Sequence, residues 1–142
     1  IELAEELTHM ACNIPGMRPP IVREDCKHVY YIWSLLTERP VHRGWFVQEM
    51  RNRGVPLSAG YVRPLYGLPA FSKSQSYCPV TEDVERRMVM FEVCAWDPTR
   101  AQMKQFAEAF KEVGGEYAKR IQRVQSEAQG VEDVDSAREA RL

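Results

Sequence analysis

The chain has 142 residues, 44% of them hydrophobic and 27% charged, which suits one domain with its own core and excludes a disordered chain. Its net charge of −1 offers no global attraction to nucleic acid or to an anionic membrane. No apolar run approaches the roughly 20 residues that cross a bilayer, and Ile1-Glu2-Leu3-Ala4-Glu5-Glu6 is too acidic for a secretion leader, so a cytoplasmic protein is expected.

The first helix is predicted from about Glu2 to Asn13, because Leu3, Leu7, Met10 and Ala11 share one face and Pro15-Gly16 stops the pattern. The chain opens inside this helical pattern and without an initiating Met, which suggests a piece of a longer protein. A proline-rich connector leads through Pro19-Pro20 to Lys27–Leu36, whose β-branched and aromatic residues predict a strand. After a turn over Thr37–Pro40, a second helix is expected over His42–Arg53, closed by Arg51, Arg53 and Gly54. A short strand over Val55–Ala59 leads into Gly60–Phe71. Ser72–Pro79 reads as a polar, mobile loop. Thr81 is the expected N-cap of a third helix through about Met90, with Phe91–Trp96 as a third strand. Either Thr99 or Asp97, with Pro98 at the first helical position, then starts a last helix whose apolar stripe is Met103, Phe106, Ala107, Phe110 and Val113. Gly114-Gly115 should interrupt it. A weaker helical pattern resumes over Glu116–Ala128, and residues 130–142 read as a frayed, charged tail.

Strands separated by helices predict an α/β, or α+β, two-layer domain: a small three- to four-stranded sheet with helices packed on it. The division expected is a domain over 1–113 and a helical extension with a frayed tail over 114–142.

Twelve residues, Gly60–Phe71, hold Tyr61, Tyr66, Phe71, Pro64, Pro69 and Arg63. Two prolines forbid a helix interior or a central strand, so this is a stiffened irregular segment of the kind that carries binding groups. Tyr61 and Tyr66 have two readings: they line a substrate entrance, or they pin the loop to the domain. Arg63 suits a carboxylate or phosphate held by two hydrogen bonds; the alternative is a solvated surface arginine. His28 reads as a hydrogen-bonded structural histidine and His42 as surface decoration. Cys12, Cys26, Cys78 and Cys94 are widely spaced, with no pair or histidine grouping that suits zinc, and read as reduced, buried small hydrophobes. Arg39, Arg43, Arg51, Arg53 and Arg63 are the material for a nucleic-acid patch, but the acidity of the remainder argues against one.

Four landmarks in order resemble the C-terminal small domain of the DegT/DnrJ/EryC1/StrS family of fold-type I, pyridoxal-phosphate-dependent sugar and cyclitol aminotransferases. Lys27-His28-Val29-Tyr30-Tyr31 is similar to the family's His-x-Tyr strand. Phe46–Val55 resembles its step from helix to short strand. Gly60-Tyr61-Val62-Arg63-Pro64-Leu65-Tyr66, followed by Leu68-Pro69-Ala70-Phe71, is similar to its Tyr-x-x-Pro-Leu-Tyr-like loop. Val80–Phe91, then Trp96-Asp97-Pro98-Thr99, resembles its closing helix, strand and helix. The resemblance covers about Ile1 to Val113.

The resemblance implies a domain that closes an active site, with Tyr61, Arg63 and Tyr66 as substrate-binding residues. It also implies pyridoxal phosphate in the full-length enzyme and a large cofactor-binding domain as partner. A lone small domain should expose an apolar patch, so self-association as a twofold homodimer is expected. The chain itself has five lysines, Lys27, Lys73, Lys104, Lys111 and Lys119, none in the family's Ser-x-x-Lys context before a glycine-rich turn. No catalytic residue, bound cofactor or transaminase activity is therefore expected of this chain alone. The alternative is a stand-alone interaction or small-ligand-binding module derived from that family.

Overall fold

The computed structural model describes residues 1–38, 42–71, 73 and 77–139, with side chains described up to residue 127. Helix α1 (Glu2–Cys12) buries Ala4, Leu7 and Ala11, one face at the expected spacing, and carries Glu2 and Glu5 in its first turn, where the helix dipole favours them. Gly16, at φ +79°, turns the chain into a two-residue strand that the sequence did not announce, β1 (Met17–Arg18). β1 pairs antiparallel with β2 (Trp33–Thr37), Met17 opposite Thr37.

The strand expected over Lys27–Leu36 forms only from Trp33 onward. The break lies at Tyr30, which takes φ +49° and is the one non-glycine residue with positive φ among those described. Its N–H donates to His28 Nδ1 at 2.9 Å and the two rings are in contact, tilted by 36° with centroids 4.1 Å apart, so His28 has the structural role expected of it. Past the kink, Trp33, Leu35 and Thr37 point into the core and the residues between them do not. Trp33 is fully enclosed; its Nε1–H donates to Thr8 Oγ1 at 2.9 Å and so ties β2 to α1.

Helix α2 (Arg43–Asn52) buries Phe46, Val47 and Met50 and ends at Gly54, φ +81°. Val55 and Leu57 are buried, but only Ser58–Ala59 pair as β3. Half of the expected turn at Thr37–Pro40 and half of the loop expected over Ser72–Pro79 lie outside the described residues.

Helix α3 (Pro79–Arg87) begins two residues before Thr81, with Pro79 in its first turn and no side-chain cap. It ends at Arg87, not near Met90, and β4 (Met88–Phe91) follows without a linker. Met-Val-Met-Phe suits a buried helix as well as a strand, and tertiary pairing decides between them. β4 is an inner strand: Trp33–Leu36 of β2 pair along one side and Ser58–Ala59 of β3 along the other, both antiparallel. The sheet order is therefore β1-β2-β4-β3. Val93–Ala95, expected as strand, form a 3₁₀ turn.

Thr99 caps α4 (Arg100–Glu139) by reciprocal bonds: its N–H donates to Gln102 Oε1 at 2.8 Å, and the Gln102 N–H donates to Thr99 Oγ1 at 3.3 Å. The glycine pair does not interrupt this helix. Gly114 is where α4 meets the turn after α1, since a Cβ there would lie 2.4 Å from Ile14 Cδ1; Gly115 faces open space. Tyr117 and Ile121, beyond the pair, are buried in the same core as Phe106, Phe110 and Val113. The frayed tail expected over 130–142 has helical backbone as far as Glu139, and its last three residues are outside the described set.

The result is a mixed α/β small domain, a four-stranded antiparallel sheet with helices α1, α2 and α4 closing one core against it. Two sequence readings fail on burial. Cys12, Cys26 and Cys94 are exposed free thiols and Cys78 is half-buried, because each sits at a helix end or in a loop rather than on a core face. His42 is no surface decoration: it is half-buried at the start of α2, its ring edge-on to Tyr117 with centroids 6.3 Å apart. Its Nε2 is enclosed without a partner among the described residues.

Candidate functional site

Gly60, at φ +75°, lets the chain turn sharply off the edge strand β3 while its N–H still donates to Met88 O at 2.8 Å. Beyond it the segment does what its prolines dictate. Pro64 is extended, and Leu65–Gly67 and Pro69–Phe71 form single 3₁₀ turns with no buried residue. Between this segment and α3 lies an open groove of about 420 Å³. One wall is Tyr61, Val62, Arg63, Pro64 and Leu65; the other comes from α3, chiefly Val80, Thr81, Val84 and Glu85, with Met88 at its end.

The structure brings Tyr61 and Arg63 together on this groove and takes Tyr66 out of it. Tyr66 donates its phenol proton to Glu82 Oε1 at 3.2 Å, pinning the 3₁₀ turn to α3. Partial burial, and after it the Glu82 carboxylate, raises the Tyr66 pKa above its ordinary 10.0. Tyr66 thus does the work of the second reading, loop anchorage.

The arginines separate by use. Arg43 donates to the carbonyl of Glu85, Arg51 Nε donates to Leu57 O at 2.6 Å, and Arg53 pairs with Glu49 at 2.7 Å. Arg43 and Arg51 tie α2 to segments that follow it, and Arg53, paired with Glu49 inside α2, also reaches Glu112 of α4 at 3.4 Å; Arg39 lies outside the described residues. Arg63 has no ion-pair or hydrogen-bond partner among the described residues, and it is exposed. An unpaired guanidinium beside a mostly apolar groove suits an anionic group on a ligand with apolar faces.

Tyr31 is a residue the sequence reading passed over. Its phenol interacts with that of Tyr61, and its pKa is raised above 10.0 first by the Tyr61 charge, then by Cys94, partial burial, a hydrogen bond to Tyr61, and Glu92.

A cofactor lysine would need a sheltered position and a phosphate cradle near it. All five lysines are exposed. The glycines that end turns, Gly16, Gly54 and Gly60, point their open side at Glu38, Gln105 and Glu85, not at a vacant concavity. These residues do not fit pyridoxal phosphate. Among the described residues no three His, Cys, Asp or Glu side chains are placed to hold a metal ion, and no helix is long and apolar enough to cross a membrane.

No protein-family model and no curated protein matches the sequence. The fold does have counterparts. The aminotransferase TlmJ from Streptoalloteichus hindustanus superposes with TM-score 0.66 at 17% identity, over 79% of this chain and 30% of its own. DesV from S. venezuelae, solved in complex with a ketimine intermediate, superposes with TM-score 0.65 at 21% identity, over 80% of this chain and 30% of its own. The chain thus has the fold of part of an aminotransferase and spans about a third of the length of either enzyme.

Proposed function

We propose that this chain is the C-terminal domain of a DegT/DnrJ/EryC1/StrS-like, pyridoxal-phosphate-dependent sugar or cyclitol aminotransferase, inactive without a lysine-bearing large domain. The observation that carries the reading is the groove beside Gly60–Phe71. The segment with the family-like Tyr-x-x-Pro-Leu-Tyr spacing sets an unpaired Arg63 next to Tyr61 on an open, mostly apolar surface. In this reading Tyr61 and Arg63 form one wall of an active site, and Tyr66 holds that wall in place through Glu82. The catalytic floor, cofactor and lysine belong to the large domain.

The test is a chimaera in which this chain replaces the matched third of TlmJ. Tyr61→Ala and Arg63→Ala should each lower kcat/KM for amino transfer about tenfold, roughly 1.4 kcal/mol of lost transition-state contact. A folded, active chimaera indifferent to both changes overturns the reading. Inactivity of the chain alone is checked by borohydride trapping with pyridoxal phosphate. Scattered labelling of the five exposed lysines is expected, and stoichiometric labelling of one lysine refutes it.

Exposed Val62, Leu65 and Val80 also favour association, and a twofold dimer is part of this reading. A clean monomer by light scattering at tens of micromolar, on the order of ordinary working concentrations for such contacts, counts against the dimer. A second reading, a stand-alone interaction or small-ligand-binding module, draws on Tyr117 and Ile121. They close the core from the extension beyond Gly115.

A further inference from the structure

The helical face of the domain carries a second concavity. α1 and α4 run side by side in the same direction, with Leu3 near Met103 at one end and Ile14 against Gly114 at the other. Along the outer seam between them three hollows follow one another, of about 190, 580 and 350 Å³. Neighbouring hollows share residues, Glu2 and Glu6 first and then His9, Met10 and Ala107, so they form one groove as long as α1. Its floor is apolar. Leu3, Met10 and Met103 are core residues left partly open there, and Trp96, 40% exposed, closes one end.

The rims have opposite charge. Glu2, Glu5 and Glu6 stand on the α1 side, and Lys104 and Lys111, which flank Ala107 at helical spacing, on the α4 side. None of the five forms an ion pair among the described residues. The helix dipole accounts for Glu2 and Glu5, which lie in the first turn of α1. It does the reverse for α4, whose first turn holds Arg100 and no acidic residue, with Lys104 one turn on. Cations at the positive end of a helix are repelled by it, and no carboxylate among the described residues pairs with these two.

A second copy supplies the missing negative charge. A twofold axis along the groove preserves position along it and exchanges the rims, so α1 of each copy lies over α4 of the other. Met10 is level with Ala107, and about one turn back Glu6 is level with Lys104. The acidic row then meets the basic row twice, and the two apolar floors meet between them. A twofold axis across the groove would set acid on acid and base on base, which disfavours it.

We propose that the outer face of α1 and α4 is the contact between two copies of this chain, closed as four helices with Glu5 and Glu6 of one copy opposite Lys104 of the other. This goes beyond the aminotransferase reading and takes nothing from the groove beside Gly60–Phe71.

Sedimentation equilibrium measures the association of the unaltered chain and of two charge-reversed forms, Glu5→Lys with Glu6→Lys and Lys104→Glu with Lys111→Glu. These side chains are exposed, so circular dichroism should show both forms folded. The unaltered chain should dimerise at concentrations on the order of tens of micromolar, and more weakly in roughly 0.5 M salt. Each reversed form alone should have a dissociation constant about tenfold higher, since like charges then face each other. Mixed in equal amounts, the two forms should pair with each other as tightly as unaltered copies do. The neutral form Glu6→Gln with Lys104→Gln should lose most of the salt dependence, a readout that stands whether or not a reversed form folds.

Failure of the mixture to pair, or a dimer that either reversed form leaves intact, overturns the contact. So does a monomeric unaltered chain. A dimer lost on Val62→Asp with Leu65→Asp and kept by the reversed forms puts association at the other groove and overturns it as well.

Discussion

Replacing Gly114 and Gly115 by alanine, one at a time, should change stability in opposite directions. In a helix interior Ala is about 0.8–1 kcal/mol better than Gly, because the backbone loses less freedom. At Gly115 a methyl meets nothing within 4 Å, so most of that gain should appear, and Gly115→Ala should stabilise by about 0.5–1 kcal/mol. At Gly114 the same methyl would lie 2.4 Å from Ile14 Cδ1 and 2.7 Å from Ile14 Cγ1, far inside the roughly 3.5–4 Å of a favourable carbon contact. Ile14 is 7% exposed, so it has little room to yield. Overpacking of this kind costs about 1–3 kcal/mol, which outweighs the propensity gain and leaves a net loss of about 1 kcal/mol. Urea unfolding followed by circular dichroism measures both variants. In an Ile14→Ala background the Gly114→Ala penalty should vanish, since the clashing atoms are gone. Equal stabilisation by both substitutions would refute the close approach of α4 to the turn after α1. Indifference at Gly115 would refute the unbroken helix.

Tyr117→Ala should destabilise by about 3–5 kcal/mol, as for a large aromatic removed from a core, in the same urea assay; a loss under 1 kcal/mol would take residues beyond Gly115 out of the core. Thr8→Val leaves the enclosed Trp33 Nε1–H without its acceptor and should cost about 1–3 kcal/mol, with altered tryptophan fluorescence. The Tyr66 pKa is raised above 10.0, so the folded protein retains a proton that the unfolded chain releases. That contribution is complete below about pH 10 and is lost as pH rises further. The melting temperature of the unaltered chain should therefore fall more steeply above pH 10 than that of Tyr66→Phe, and parallel curves would disprove the linkage.

Much of the architecture was legible because apolar periodicity is a local signal. The stripe Phe106, Phe110, Val113 and the face Leu7, Ala11 needed only spacing to be placed. What was not legible depended on partners distant in sequence. Met88–Phe91 is neutral between helix and strand until β2 and β3 flank it. Gly114 looks like a breaker until Ile14 occupies the space that its missing side chain leaves. The irregular segment Gly60–Phe71 was legible from its prolines, glycines and aromatics, and Tyr61 and Arg63 fall on one wall of a groove. Tyr66 separated from them because its acceptor, Glu82, is sixteen residues away on another element. The exposure of Tyr31 and burial of Tyr30 run against strand parity, which no sequence pattern shows without the positive φ of Tyr30.

The sheet order imposes a sequence of events on folding. β4 is one of the two inner strands, yet it is the last of the four to leave the ribosome, so β2 and β3 have no shared neighbour until residue 91 is available. Closure then waits for Tyr117, whose hydroxyl lies 3.5 Å from the carbonyl of Gly16, 101 residues earlier. Such long loops slow the search for native contacts. During synthesis, α1 and the first strands therefore spend their early life without the layer that covers them. A nascent chain halted before α4 is complete should be a client for chaperones.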